Sequence, residues 1–548
     1  MFCVIIKLVF LYIGEFMENR LRPLENVTYS IGSLGREISN NCINVFFLAY
    51  LNIYMGLDAL VLTIAFVLAK AWDTINDPIL ATLVNNTKKG KWGRFRPWMA
   101  VGAILNAASV ILMFTPLSAD TSIGLKYFYY IAMYVIWGMT FTLVDVPFWS
   151  MIPAIANDTE DRNKISSLAK LIGGFGGFVI TSIGTSVILA NFIPKYGWEK
   201  AYLILGVAAG LMMACFMSVT IMCNKEKYDL PNEKVGLGEI FRMFKSNDQL
   251  VAYAISYVFF VSATTISLFQ MLYLFVYCYP NGANYFSSSY SYTVFTAVAC
   301  TGQGIAMFFY NLITKKLPRE KLYGANYFMA IIGMIAMFFI FFALKPGNHL
   351  LNTIIVALCG AFLMTANGLN QIGSTVMIAD VVDYGEWKTG KRGDSVIFSV
   401  QTLLTKFAGA IAMLILGVGI KVAKLPNVVE TFDEVTGKWA QFFADDAGNI
   451  LNASDLISGN ALTILRVFMF LVPVPLCIIG YIVYKKKYNL YGERYDKIKS
   501  EIDQRRLVNT EKVDTGVQNQ PLDTTEETAQ EIIEAACDTT DTTSGEVQ

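Results

Sequence analysis

The chain has 548 residues, of which 55% are hydrophobic and 16% charged, and its 43 basic and 43 acidic side chains cancel. Mean hydropathy is +0.47 and is carried by repeated apolar runs of about 20 residues, the signature of an all-α polytopic membrane protein. Balanced charge leaves no footprint for nucleic acid, and the lack of a GxxxxGK[ST] phosphate loop argues against an ATP-driven pump.

In chain order, residues 1–28 form an N-terminal segment. Its apolar start, Met1–Phe16, has almost no basic flank and no small-residue cleavage site. Met17 is the expected true start. Twelve spans follow by apolar length. Those of the first half are Tyr29–Met55, Leu60–Val84, Trp98–Pro116, Leu125–Ile155, Ile165–Phe192 and Ala201–Cys223. Those of the second are Val251–Tyr279, Tyr290–Ile313, Tyr323–Leu344, Leu350–Val382, Ser395–Val422 and Ala461–Tyr484. The expected domains are thus a six-helix bundle over 29–223, a middle loop over 224–250, a second six-helix bundle over 251–484 and a disordered acidic tail over 485–548.

Basic residues cluster in the second–third loop (Lys88, Lys89, Lys91, Arg94, Arg96), the middle loop, the eighth–ninth loop and the tenth–eleventh loop (Lys388, Lys391, Arg392). The protein is therefore expected as a multi-pass protein of the cell's inner (cytoplasmic) membrane, with these loops and both termini in the cytoplasm. The longest outside loop is expected over 423–460. The only histidine, His349, falls in an expected loop, which excludes a histidine relay or multi-histidine metal site in the membrane. The nine cysteines are scattered, with no CxxC pair, and read as apolar fillers.

Charges inside a membrane span are costly and mark function. On the second span, Asp73 and Asp77 are four residues apart and share a helix face, with Asn76 beside them and Lys70 one turn before. Pro78 is expected to loosen the helix there. The first span carries Arg36 and Glu37, with Asn40 and Asn41 following. On the fourth, Thr142, Asp145 and Trp149 share a face, and Pro147 frees the carbonyl of Leu143. The fifth places Lys170 just before Gly173, Gly174, Gly176 and Gly177, which permit close helix approach. On the eleventh, Ser399, Thr402 and Lys406 share a face, with Asp394 expected to cap its start. Four acids then face four bases across one inferred cavity, the balance an empty buried site needs. Two carboxylates with neutral oxygens suit a hard cation. An indole beside a carboxylate suits a sugar ring. On the seventh span, Ser262, Thr264, Thr265 and Gln270 either reach sugar hydroxyls or bond their own helix.

Three blocks carry a family likeness: KAWDTINDPILATLVNNTKKGKWGRFRPW from residue 70, WGMTFTLVDVPFWSMIPAI from 137, and IADVVDYGEWKTGKRGDSVIFSVQTLLTK from 378. Together they resemble the glycoside–pentoside–hexuronide:cation symporters of the major facilitator superfamily, and most of all the sodium/melibiose permeases. The resemblance implies the twelve-helix major facilitator fold, no enzyme activity, and alternating-access uptake of a glycoside coupled to Na⁺, Li⁺ or H⁺. It places the cation at Asp73, Asp77, Asn76 and Thr142, as metal ligands if the cation is Na⁺. It places the sugar at Asp145 and Trp149, with Arg36, Glu37, Lys170 and Lys406 where those permeases have ionised sugar-site residues. Thr402 joins this lining through its face with Lys406. Gln371 stands where they have a second stacking tryptophan. Glu for Asp at 37, Lys for Arg at 170 and the change at 371 imply a sugar other than melibiose, neutral or anionic. The expected partners are a small sugar and the lipid bilayer, with the monomer as working unit. The alternatives are a symporter of a lysolipid or other non-sugar solute, and a sensor that binds sugar without moving it. The Asp383–Arg392 segment is expected to lock against Arg94 and Arg96 when the carrier opens outward.

Overall fold

The computed structural model describes residues 23–514, except 119, 157–158, 229–245, 270, 279–286, 344–348, 391–393, 426, 445–449 and 452–459. The Met17 start, the tail beyond 514, Lys391, Arg392, Gln270, Asp445, Asp446 and the capping side chain of Asp394 lie outside the described residues.

Apolar length dictates helices, because the backbone of a membrane span can satisfy its polar groups only within itself. Twelve long helices are described. The first, α1, runs over Pro23–Cys42 and continues through π-helical stretches at Ile43–Phe47 and Tyr50–Tyr54. Next come α2 (Ala59–Asn86), α3 (Arg96–Met113) and α4 (Ile123–Ser150). Helix α5 covers Thr159–Ile183 and a π-helical stretch, Gly184–Leu189, and ends at Gly197 inside the Ala190–Cys223 segment. Gly197 takes φ +80°, and α6 (198–223) follows it.

The second half has α7 (Asp248–Phe269 with Met271–Cys278), α8 (Ser287–Lys316), α9 (Arg319–Ala343), α10 (His349–Thr389) and α11 (Asp394–Ala423). The last, α12, is built from Asn460–Arg466, Val467–Leu471 and Pro473–Lys487. A polar helix, α13 (Gly492–Asp514), belongs to a separate unit from Gly492 on, and stands where the sequence predicts a disordered tail over 485–548. Nine stretches among the described residues are long and apolar enough to cross a membrane.

Several details depart from expectation. Helix α1 is already formed at Pro23, the first described residue, six residues before Tyr29. His349 opens α10 rather than lying in a loop. Helix α2 continues through Pro78 without a break. Within the long loop after α11 sits a small antiparallel sheet, β1 (Asn427–Asp433), β2 (Lys438–Ala444) and β3 (Ile450–Leu451), in that order. Its β1–β2 pair registers Glu430 with Gln441 and Phe432 with Trp439.

Helix starts are capped as the chemistry requires. Asp58 accepts from the backbone N–H groups of Leu60 and Val61 at 2.9 and 3.3 Å at the head of α2. The carboxylate of Glu226, after α6, accepts from the N–H groups of Arg94, Phe95 and Arg96 at 2.7, 2.7 and 3.4 Å. It thereby sets a negative charge on the positive end of α3.

Helices α1–α6 pack together, as do α7–α12, and the two halves meet along α2 against α11 and α5 against α8. On the first seam Asp58 pairs with Lys421, Thr63 fills the space a side chain at Gly417 would need, and Asp77 pairs with Lys406. On the second, Thr293 donates to Ser186 Oγ at 2.8 Å. Tyr273 adds a hydrogen bond to Asn52 at 3.4 Å. Apart from Asp77–Lys406, these contacts lie at the end of the bundle away from the basic loops, over a core rich in buried aromatic rings.

Candidate functional site

The polar side chains of the first half gather in two clusters that share α4. In the first, Thr142 Oγ1 donates to Asp77 Oδ1 at 2.9 Å, and Lys406 from α11 bonds the other oxygen, Oδ2. Asp73 lies one turn back on α2, against Gly138 of α4, where an added Cβ would come within 2.8 Å of its Oδ1. A glycine there is what lets the carboxylate nest against the helix. Asn76 is 5% exposed and its Nδ2 has no partner among the described residues. Lys70 is half-buried and within electrostatic reach of Asp73 and Lys406. Among the described residues no three His, Cys, Asp or Glu side chains converge as a metal cage. A cation held here therefore needs neutral oxygens to complete the two carboxylates.

The second cluster begins three residues along α4, about 4.5 Å of helix rise away. Arg36 is the hub. Its guanidinium donates to Asp145 Oδ1 at 2.5 Å and to Glu37 Oε1 at 2.6 Å. It also lies 5.1 Å from the centroid of the Trp149 ring and 5.8 Å from that of Phe148, within cation–π range. Trp149 Nε1 donates to Asp145 Oδ1 at 3.1 Å. Asn41 donates to Glu37 Oε2 at 3.2 Å and Asn40 to the same oxygen at 3.4 Å. The cluster is half-buried: the side chains of Arg36, Glu37 and Asp145 are 11%, 22% and 24% exposed. Arg36 Nε and Ser33 Oγ are buried without partners among the described residues.

Lys170 lies on α5 within electrostatic reach of Arg36, with no hydrogen bond or ion pair among the described residues. Thr402 and Gln371 are exposed on α11 and α10, and neither side chain bonds to the clusters. The α7 hydroxyls do not join either. Ser262 donates to the carbonyl of Ala408, and Thr264 to its own helix. The glycines of α5 do bring that helix onto α1: a Cβ at Gly173 would lie 2.5 Å from Ser33 Oγ, and one at Gly176 2.5 Å from the carbonyl oxygen of Leu34.

One network escaped the sequence reading. Ser39 donates to Asn106 Oδ1 at 2.7 Å, and Asn106 Nδ2 to Thr140 Oγ1 at 3.2 Å. Trp137 Nε1 donates to Ser39 at 3.3 Å. It ties α1, α3 and α4 together one turn from both clusters. Its sequence signal is Asn106, with Ser109 one turn on, in an α3 that is apolar at every other position from Pro97 to Met113. Near the basic loops, Tyr384 and Lys388 of α10 donate to Asp248 of their own half at 2.9 and 2.7 Å.

Residues 28–490 match the family model described as MFS/sugar transport protein. The chain belongs to that family. The symporter YjmB of Bacillus subtilis, itself uncharacterised, is 28% identical over 77% of this chain and 88% of its own. A lactose permease of Lactobacillus delbrueckii subsp. bulgaricus is 24% identical over 76% of this chain and 67% of its own. A putative sulfoquinovose importer of Escherichia coli is 24% identical over 89% and 95%. Among solved structures, an inward-facing, occupied bacterial homologue of the human lysosomal transporter Spinster superposes with a TM-score of 0.58 at 14% identity, over 85% of this chain and 97% of its own. The inward-open xylose transporter XylE of E. coli gives 0.53 at 11% identity, over 85% and 96%. At such identities the structures establish the fold alone. This carrier is a multi-pass membrane protein of the glycoside–pentoside–hexuronide:cation branch of the major facilitator superfamily, and the family comprises transporters rather than enzymes.

Proposed function

We propose that this carrier imports a glycoside or related sugar by cation-coupled symport, the cation at Asp73, Asp77, Asn76 and Thr142. The sugar is bound by Asp145, Trp149, Glu37 and Arg36, with Lys170, Lys406, Thr402 and Gln371 around it. The observation that carries the reading is the shared helix: Thr142 engages Asp77 while Asp145 and Trp149 engage Arg36 within two turns of α4.

The chemistry follows from what already competes for Asp77. Both of its oxygens are taken, one by Thr142 and one by Lys406. A cation drawing on this carboxylate displaces Lys406, a side chain of the opposite half. Loading therefore alters a contact between the halves and one wall of the sugar cluster together, which is how one ligand comes to bias the other's binding. Buried polar atoms without partners sit at both clusters, Asn76 Nδ2 at one, Arg36 Nε and Ser33 Oγ at the other. Each such atom costs about 1–3 kcal/mol, and a hydrated ion or a sugar hydroxyl satisfies them. Relatives named for lactose, raffinose and sulfoquinovose support a sugar as cargo. The basic loops support an orientation with the end that carries the α2–α11 and α5–α8 seam contacts outside the cell and both termini inside.

The test is uptake of a labelled glycoside panel into proteoliposomes, with and without an inward Na⁺ or H⁺ gradient. Asp73→Asn and Asp77→Asn are each expected to lose cation stimulation by at least about tenfold. Full stimulation in either variant overturns the cation assignment, and uptake of lysolipid in place of every sugar overturns the substrate.

A further inference from the structure

The β1–β2 hairpin is a piece of the second half whose side chains reach the first. Both oxygens of Glu430, in the middle of β1, accept from the backbone N–H of Trp198, at 3.1 and 3.2 Å. Trp198 opens α6. The residue before it, Gly197, holds φ +80°, and a Cβ there would stand 3.2 Å from Glu430 Oε2 and 3.6 Å from the Trp439 ring. The corner between α5 and α6 is thus shaped so that a carboxylate can reach a main-chain donor. The Trp198 ring stacks on Tyr54 of α1 at 5.6 Å. On the other side, Phe443 of β2 packs against Tyr277 of α7 at 5.2 Å. The hairpin is joined covalently to α11 and grips both halves across one end of the bundle.

We propose that this hairpin is a strap that holds the carrier closed at that end, and that opening there requires Glu430 to leave the Trp198 backbone. A carrier that exposes its site alternately must part its halves by several ångström. A strand pair seven residues long, with its ladder hydrogen bonds made, cannot lengthen to keep hold of both. One grip has to release. The Phe443–Tyr277 contact stays within the half that carries the hairpin. The bond from Trp198 to Glu430 crosses between the halves, as does the packing of β1 on Tyr50–Tyr54 and of β2 on the Ala190–Cys223 segment. These release together, and the charge-assisted bond is the directional one among them. The strength of that bond then sets how much of the resting population is closed.

The reporter is Thr63→Cys, a position with no exposed surface on the α2–α11 seam. In nanodiscs, its alkylation by a bulky maleimide is expected to quicken about tenfold when Glu430→Ala is added. This arm needs neither sugar nor cation and stands whatever the cargo proves to be. An unchanged alkylation rate overturns the strap. In a second arm, Gly197→Cys and Glu430→Cys are bridged by a short bis-maleimide, with each single variant as the folding control. Bridging is expected to arrest uptake while the bound-ligand signal in detergent persists. Transport at the unbridged rate overturns the strap even if Thr63→Cys responds.

Discussion

Arg36 is asked to hold two carboxylates and two aromatic rings at once. Its planar guanidinium can do this and an ammonium cannot. Trp149 meets it twice, through its ring face and through its bond to Asp145. Trp149→Phe keeps the ring and removes the donor. A hydrogen bond to a charged group contributes about 1.5–3 kcal/mol, so the sugar KM is expected to rise at least about tenfold. Cation binding measured without sugar is expected to stay as it was. An equal loss of cation affinity would show that Trp149 supports the whole half rather than the sugar. These residues were legible because ionised groups in apolar helices stand out, and because four- and three-residue spacings fix a shared face. Asn106 was not legible. It is neutral, and neither its partner Ser39 on α1 nor Thr140 on α4 has a fixed sequence distance from it. Its role exists only once three helices are packed. Gln371 and Thr402 show the converse: a residue at a family position, or one that shares a face with a cluster residue, need not reach the cluster in one conformation.

At the scale of helices, the α5 glycines follow from their neighbours. Gly176 faces Leu34 of α1 with no room for a Cβ, whereas at Gly174 nothing lies within 4 Å. Overpacking costs about 1–3 kcal/mol, and replacing an unneeded helical glycine returns about 0.5–1 kcal/mol. Gly176→Ala is therefore expected to lower the melting temperature in detergent, and Gly174→Ala to leave it level or raise it. Opposite signs are the signature of the α1–α5 contact, and equal shifts would refute it. The glycine run announced close packing in advance. The hairpin after α11 did not announce itself in this way. Its two main strands are seven residues long, too short to register by apolar length, although Val428, Val429, Phe432, Trp439 and Phe443 around the turn at Gly437 carry a hairpin signal of their own. What no local signal gives is its partner more than 200 residues away, Trp198. Glu226 on the head of α3 is a similar case, since helix capping at that separation has no local pattern.

For the whole molecule, the order of spans and the division into halves follow from hydropathy. The seams do not, because every span is apolar and all of its faces look alike in composition. Only Lys406, whose charge must be answered by an acid, hinted that α11 meets α2. One further consequence lies in the eight ionisable residues in and beside the two clusters. Glu37, Asp73, Asp77 and Asp145 balance Arg36, Lys70, Lys170 and Lys406, so the unloaded site is formally neutral. With a monovalent cation and a neutral glycoside aboard it carries one positive charge. Only the loaded carrier then feels the membrane potential as it reorients, and 100 mV contributes about 2.3 kcal/mol for each charge moved fully across. Import is expected to be electrogenic, one charge per sugar, with an inward current on a solid-supported membrane that vanishes for Asp77→Asn. A sugar bearing its own negative charge would travel silently, which makes the size of the current a direct reading of the cargo's charge.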